Sequence, residues 1–333
     1  MPDCIPLSSL EPKNKKTFSD YVPPPRFGTT TFESYIPQHP SQEKALEKTE
    51  AFLGESTSSK PRWFWQSPKE NGKGLYLDGG FGVGKTHLLA SAFEAFSGSK
   101  LYLSFSELVH AIGVLGMPKA KEELGTADLY CIDEFELDDP GNTLIVKTFL
   151  AHVFMNGAKI ITTSNTLPSA QGQGRFNADD FKREIQSIAE HFESVSIDGP
   201  DYRKRDQIAA PLSRQELEKL KATDSYASKV CSTHQPFFEE LRAHHPINYH
   251  GLLKQVDAFY LTDLKSIETQ NDALRFVHFI DKLYDMMIPL RLTGMLELEN
   301  LFDESYRNSA YAKKHYRCLS RLSELLEEAR EDL

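Results

Sequence analysis

The chain has 333 residues, 40% hydrophobic and 26% charged, with a formal net charge of −10. That length suits one large and one smaller domain, each with its own core. The acidic balance argues against a protein whose main task is coating nucleic acid, so no nucleic-acid partner is expected.

No run approaches the roughly 18 apolar residues of a membrane-spanning helix, and no signal-like apolar segment opens the chain. A cytoplasmic protein is expected, with any membrane contact peripheral or through a partner. Cys4, Cys131, Cys231 and Cys318 are scattered, without C-x-x-C or metal-ligand spacing, and read as reduced thiols.

In chain order, residues 1–27 are rich in Pro, Ser and Lys, including Pro23-Pro24-Pro25. They read as a loosely held arm in which Lys13, Lys15 and Lys16 are solvated charges. Ser41–Leu53 returns apolar residues at helical spacing, with Ser41 as cap. Trp63 and Trp65 read as packing residues. Short apolar runs then alternate with helical stretches: Leu75–Leu77, Lys100–Phe105, Leu129–Asp133, Lys159–Ser164 and Ser194–Ile197. This alternation predicts a parallel sheet covered on both faces. After Asp198 the pattern changes to a charged helix at Arg214–Ala222, an apolar segment at Leu252–Leu264, and helices at Asp272–Met287 and Glu304–Glu331. His244, His245 and His250 lack a carboxylate or thiol complement in metal-ligand spacing and read as loop imidazoles.

The most informative stretch runs from Gly74 to Leu89. Gly79, Gly84, Lys85 and Thr86 fit G-x-x-x-x-G-K-[ST] between an apolar strand and an apolar helix. The intervening Gly80, Phe81, Gly82 and Val83, with His87 beyond, complete the predicted phosphate-binding loop. Glycines let backbone N–H groups curl around a polyphosphate, and the helix N-terminus adds partial positive charge. Lys85 is placed to reach the β- and γ-phosphates, and Thr86 to ligate Mg²⁺. The strand Leu129–Asp133 ends in the expected second Mg²⁺ anchor, Asp133, and Glu134 is positioned to activate water. The next strand, Lys159–Ser164, ends at Asn165, whose amide suits the attacking water or the γ-phosphate.

Gly74–Leu89, Cys131-Ile-Asp-Glu-Phe-Glu-Leu-Asp-Asp-Pro140, Thr163-Ser-Asn-Thr-Leu-Pro168 and Asp201-Tyr-Arg203 resemble the ZapE family of AAA+-type ATPases. So do Asp272–Asp285 and the early Pro40-Ser41-Gln42, which is similar to the family's pre-loop motif. Gly174-Arg175-Phe176 ahead of Asp180-Phe181-x-Arg183-Glu184 is most similar to actinobacterial members. The segment between Tyr202 and Asp257 departs from the proteobacterial pattern. The resemblance covers about Phe27 to Pro289. It implies an ATPase tied to bacterial cell division, with FtsZ or another division component as client and recruitment to mid-cell. Mitochondrial relatives are implicated in handling inner-membrane and respiratory-chain proteins.

The resulting expectation is an α/β P-loop core over residues 28–205, with sheet order 5-1-4-3-2, and a smaller, mainly helical, lid-like domain over 206–333. ATP with Mg²⁺ is the expected cofactor pair, in a homo-oligomer that places an arginine at a neighbour's γ-phosphate. Arg175 and Arg183 are the candidates for that finger, and Arg275 for a lid arginine. Two rival classes remain open: a nucleic-acid-associated loader, and a nucleotide-gated interaction protein in which turnover is incidental.

Overall fold

The computed structural model describes residues 4–13, 16–54, 72–137, 139–167, 171, 178–201, 208–294, 297–307 and 312–333. The chain divides into a central unit, Lys16–Tyr202, and a terminal unit formed by Met1–Lys15 with Arg203–Leu333. It opens with a short strand, β1 (Cys4–Pro6), which belongs to the terminal unit.

The central unit begins its regular structure with α1 (Pro40–Gly54) and β2 (Lys73–Gly79), then α2 (Lys85–Ala95) and β3 (Lys100–Ser104). There follow α3 (Phe105–Leu115), α4 (Met117–Glu123), β4 (Leu129–Asp133), α5 (Pro140–Met155), β5 (Lys159–Ser164), α6 (Ala178–Ala189) and β6 (Phe192–Ile197). The five strands are parallel in the order β3-β4-β5-β2-β6. Counted within this unit and read from the other edge, that is the 5-1-4-3-2 order the sequence predicts.

The near-continuous apolar strands are explained by burial on both faces. Leu75, Leu77, Leu129, Cys131 and Ile161 pack into a core shared with α1 and α2. Tyr76, Tyr130, Ile132 and Ile160 alternate with them and join a second core with α3 to α6. Local caps fix where helices start. Ser104 accepts from the Glu107 N–H while Glu107 accepts from the Ser104 N–H, a reciprocal capping box at α3. Asp139 accepts from the Asn142 N–H at 2.8 Å to open α5. Parallel pairing brings the carboxyl ends of all five strands to one edge, where ligands of open α/β sheets bind.

The predicted arm is pinned rather than loose over its described residues. β1 pairs in parallel with a strand of the terminal unit, and Leu7 is buried in that unit's core. In the central unit, the Tyr21 carbonyl accepts from the Tyr102 N–H at 2.8 Å, and Lys16 pairs with Glu107 at 2.9 Å. Apolar Leu7 and Tyr21 override the polar composition around them. Trp63 and Trp65 lie outside the described residues.

The terminal unit contains α7 (Arg214–Thr223), β7 (Lys229–Thr233), α8 (His234–Ala243), α9 (Tyr249–Leu253), β8 (Ala258–Leu264), α10 (Gln270–Asp285), β9 (Leu290–Gly294), α11 (Glu304–Arg307) and α12 (Ala312–Glu331). Helices make up most of its regular structure, but they are laid on a parallel sheet, β1-β7-β8-β9, that the expected helical lid does not include. β7 has the same length as the predicted β4 but reads Lys-Val-Cys-Ser-Thr, with Val230 its one fully buried residue, so it shows no apolar run. One face of the sheet carries the main core, in which the Phe237 ring lies 5.8, 6.1 and 5.0 Å from those of Phe259, Phe276 and Phe279. Among the described residues, no helix is long and apolar enough to cross a membrane.

The thiol expectation also needs correction. Cys4 and Cys231 form a disulfide across the β1–β7 pair, while Cys131 and Cys318 are buried and free. A sequence separation of 227 residues hides a contact that only strand pairing creates. Peptide mapping without reductant is expected to recover a linked Cys4–Cys231 fragment and alkylate Cys131 and Cys318 only after unfolding. Alkylation of native Cys4 or Cys231 would contradict the bond.

Candidate nucleotide-binding site

The site is built where β2 runs into α2. Gly82 and Gly84 have φ of 67° and 93°, values that L side chains rarely adopt. Space is equally restrictive: a Cβ on Gly82 would stand 1.5 Å from Asp201 Oδ1, and one on Gly84 2.5 Å from the Tyr35 ring. The loop is therefore bare backbone between close neighbours, as an anion-binding nest requires. Gly80 is open by comparison, Phe81 is half-buried, and Val83 is buried. Lys85 is also buried, its ammonium folded onto the loop carbonyls of Gly79 at 2.9 Å and Gly80 at 2.5 Å. The His87 side chain faces away from the loop, within 2.9 Å of Ser34 Oγ and 3.2 Å of the Thr31 carbonyl. Burial lowers its pKa and favours the neutral ring.

Asp133, at the tip of β4, is the centre of a hydroxyl cluster. The Thr86 hydroxyl lies 3.4 and 3.3 Å from its two oxygens, the Tyr102 hydroxyl donates at 3.1 Å, and the Thr163 hydroxyl donates to Oδ1. Burial is the main cause of a raised carboxyl pKa here, and the adjacent Glu134 charge adds to it. The hydrogen bonds from Thr163 and Tyr102 oppose that rise. A carboxylate so held gains from a nearby cation. The donor set, one hydroxyl and one carboxylate with no sulfur or imidazole, fits Mg²⁺, which takes few protein ligands and fills its shell with phosphate and water. The phosphate loop likewise fits a nucleotide's polyphosphate.

Glu134 is exposed and, without being glycine, takes φ of 52°. Its N–H is shared between Asp133 Oδ1 at 3.1 Å and Thr163 Oγ1 at 3.0 Å, and the following Phe135 N–H reaches the Thr163 carbonyl. These bonds hold the left-handed turn, a kind of strain that concentrates at functional sites. Asn165 is half-buried immediately after β5. Because Ser164 pairs with Asp78, Asn165 stands level with Gly79 at the same sheet edge. Thus Gly79–Thr86, Asp133, Glu134 and Asn165 gather at one edge of one sheet.

The arginine expectations fare differently. Arg175 lies outside the described residues. Arg183 is exposed on α6. Arg275 does not read as a free lid arginine: within the terminal unit, Nη1 donates to the carbonyls of Leu241 at 2.6 Å and His244 at 2.7 Å. It closes the C-terminal end of α8, where carbonyls lack helical partners. Sequence reading missed Tyr102 and Thr163. Their signal is register: Tyr102 pairs with Cys131, two residues before Asp133 on the same face, and Thr162 pairs with Ile132.

A glycine loop between strand and helix, a lysine and threonine at the helix start, and an acidic pair closing another parallel strand define a P-loop NTPase. The chain belongs to the AFG1-like ATPase family, whose sequence profile matches residues 22–236 and 236–331. It is similar to cell division protein ZapE of Escherichia coli, 23% identical over 302 residues, covering 77% of this chain and 78% of that protein. An uncharacterized protein of Schizosaccharomyces pombe is also 23% identical, over 76% of this chain and 72% of its own length. The solved structure of the DnaC helicase loader aligns with a TM-score of 0.39 and 22% identity, over 52% of this chain and 99% of that one.

Proposed function

We propose that this ATPase hydrolyses ATP to ADP and phosphate with Mg²⁺, and couples the cycle to remodelling a protein client in cell division. The observation that carries the chemistry is the Thr86–Asp133 pair beside an outward-turned Glu134. Lys85 leaves the carbonyls of Gly79 and Gly80 to meet the β- and γ-phosphates, while the loop N–H groups hold the remaining oxygens. Thr86 and Asp133 hold the metal, which when bound neutralises charge on the phosphate oxygens. Glu134 takes a proton from water as its oxygen bonds to the γ-phosphorus and the bond to the bridging oxygen breaks. Asn165 positions that water. Charge on the departing phosphoryl group is met by Arg175 or Arg183 of a neighbouring copy in a homo-oligomer.

The client reading rests on the family and on similarity to a protein named for cell division. FtsZ or another division component is the favoured client, met in the cytoplasm and at mid-cell. A client is gripped in the ATP state only if that state binds it more tightly. Purified Glu134→Gln protein with ATP is therefore expected to co-sediment with FtsZ polymers from the same organism, and Lys85→Ala protein not to. No ATP-dependent co-sedimentation, with hydrolysis instead stimulated by single-stranded DNA and lost steeply with salt, would replace this reading by the loader class.

A further inference from the structure

The Pro40-Ser41-Gln42 motif has no part in the chemistry above, yet Gln42 is fully buried. Burying an amide costs free energy unless both its ends are satisfied. Oε1 accepts from the N–H groups of Gln38 at 2.7 Å and His39 at 3.1 Å, fixing the entry to α1. Nε2 donates at 3.3 Å to the carbonyl of Val83, inside the phosphate loop.

That carbonyl also accepts from the Tyr35 hydroxyl at 3.2 Å. The Tyr35 ring packs against Gly84 and meets the His87 ring edge-on, with centroids 5.4 Å apart. The adjoining Ser41 hydroxyl accepts from the Asp198 N–H at 2.8 Å and donates to the Asp198 carbonyl at 3.0 Å. A Cβ on Gly199 would stand 2.6 Å from Gln42 Nε2. The buried Gln42 amide thus braces the outside of the loop and the start of α1, and the neighbouring Ser41 ties that start to the exit from β6.

The peptide plane gives this brace a consequence for ligand binding. In a trans peptide the C=O and the following N–H point in opposite directions. Two donors that hold the Val83 carbonyl on one side therefore direct the Gly84 N–H to the other, away from Gln42. In a phosphate loop that N–H belongs to the anion nest.

We propose that Gln42 is a positioning residue for nucleotide binding, which orients the phosphate loop through the Val83 carbonyl with Tyr35 as second donor. This rests on the reading that the loop takes ATP. Gln42 touches no reacting atom, so its effect falls on affinity and leaves the hydrolytic step alone.

The test is Gln42→Glu, which keeps the acceptor for Gln38 and His39 but sets a carboxylate oxygen against the Val83 carbonyl. The dissociation constant for a fluorescent ATP analogue and the KM for ATP are both expected to rise about tenfold or more, the scale of an unpaired buried group. The expected kcat stays within about threefold of the original. Tyr35→Phe removes the other donor and is expected to raise the same constants by about threefold; it decides the matter should Gln42→Glu not fold. Folded variants with unchanged affinity, or with lowered kcat at unchanged affinity, overturn the proposal. Should the unaltered protein bind no ATP analogue while Lys85→Ala behaves identically, the nucleotide reading itself fails.

Discussion

Lys85→Ala protein is expected to lose nucleotide binding and turnover together, while Glu134→Gln protein keeps the first and loses the second. The two side chains lie at one sheet edge but act at different moments. The Lys85 ammonium, stored on the Gly79 and Gly80 carbonyls, is the cation that the loop itself carries, and in the proposed reading its loss leaves the loop only backbone dipoles to hold the phosphates. The Glu134 side chain is exposed, and its backbone bonds to Asp133 and Thr163 are untouched by an isosteric amide. Glu134→Gln should therefore preserve the metal anchor and remove only the base, lowering kcat by roughly 10²-fold or more. Equilibrium binding of a labelled nucleotide, run beside phosphate release, separates the two. Equal loss of affinity in both variants would mean that Glu134 supports the loop and is not the base.

What the sequence made legible follows from how local each signal is. The loop, Asp133 and Glu134 were readable because a strand end and a helix start are adjacent in the chain. The central strands showed as short apolar runs, as at Leu75–Leu77 and Leu129–Ile132, and the single run between the phosphate loop and Asp133 pointed to their order. The sheet of the terminal unit was not legible, since β7 reads Lys-Val-Cys-Ser-Thr and only Val230 of it is fully buried. The Cys4–Cys231 bond and the β1 pairing join residues at opposite ends of the chain. Tyr102 and Thr163 were missed because each acts on Asp133, which only the sheet brings near, while Gln42 stood out as part of the pre-loop resemblance without its contact to Val83 being readable. Arg275 shows a converse difficulty, because its sequence position suggests a ligand while its Nη1 is bonded to the carbonyls of Leu241 and His244.

The segment Asp272–Asp285 gives the second large expected effect, and it concerns stability. Asp281, on α10, is buried and accepts from Arg317 at 2.7 Å and Arg321 at 2.6 Å, both on α12. Arg321 also lies 3.6 Å from Asp285, and its guanidinium sits over the Tyr284 ring at 4.9 Å. Burial is the largest influence on Asp281 and acts to raise its pKa; Arg317 and Arg321 overcome it, so the carboxyl lies well below the usual range. Asp281→Ala would leave two guanidiniums, both mostly buried, without their shared anion, an expected loss of about 3–5 kcal/mol.

Because the folded pKa is depressed, the ionised form stabilises the fold at every pH above the unfolded carboxylate value, near ~4. That contribution fades as pH falls below it toward the folded value. Hydrogen exchange in α10 and α12 should thus accelerate strongly in Asp281→Ala at pH 7, and the gap to the original protein should narrow below about pH 4. A gap that is small at pH 7, or that widens in acid, would show that apolar packing of these helices suffices and the ion cluster is incidental.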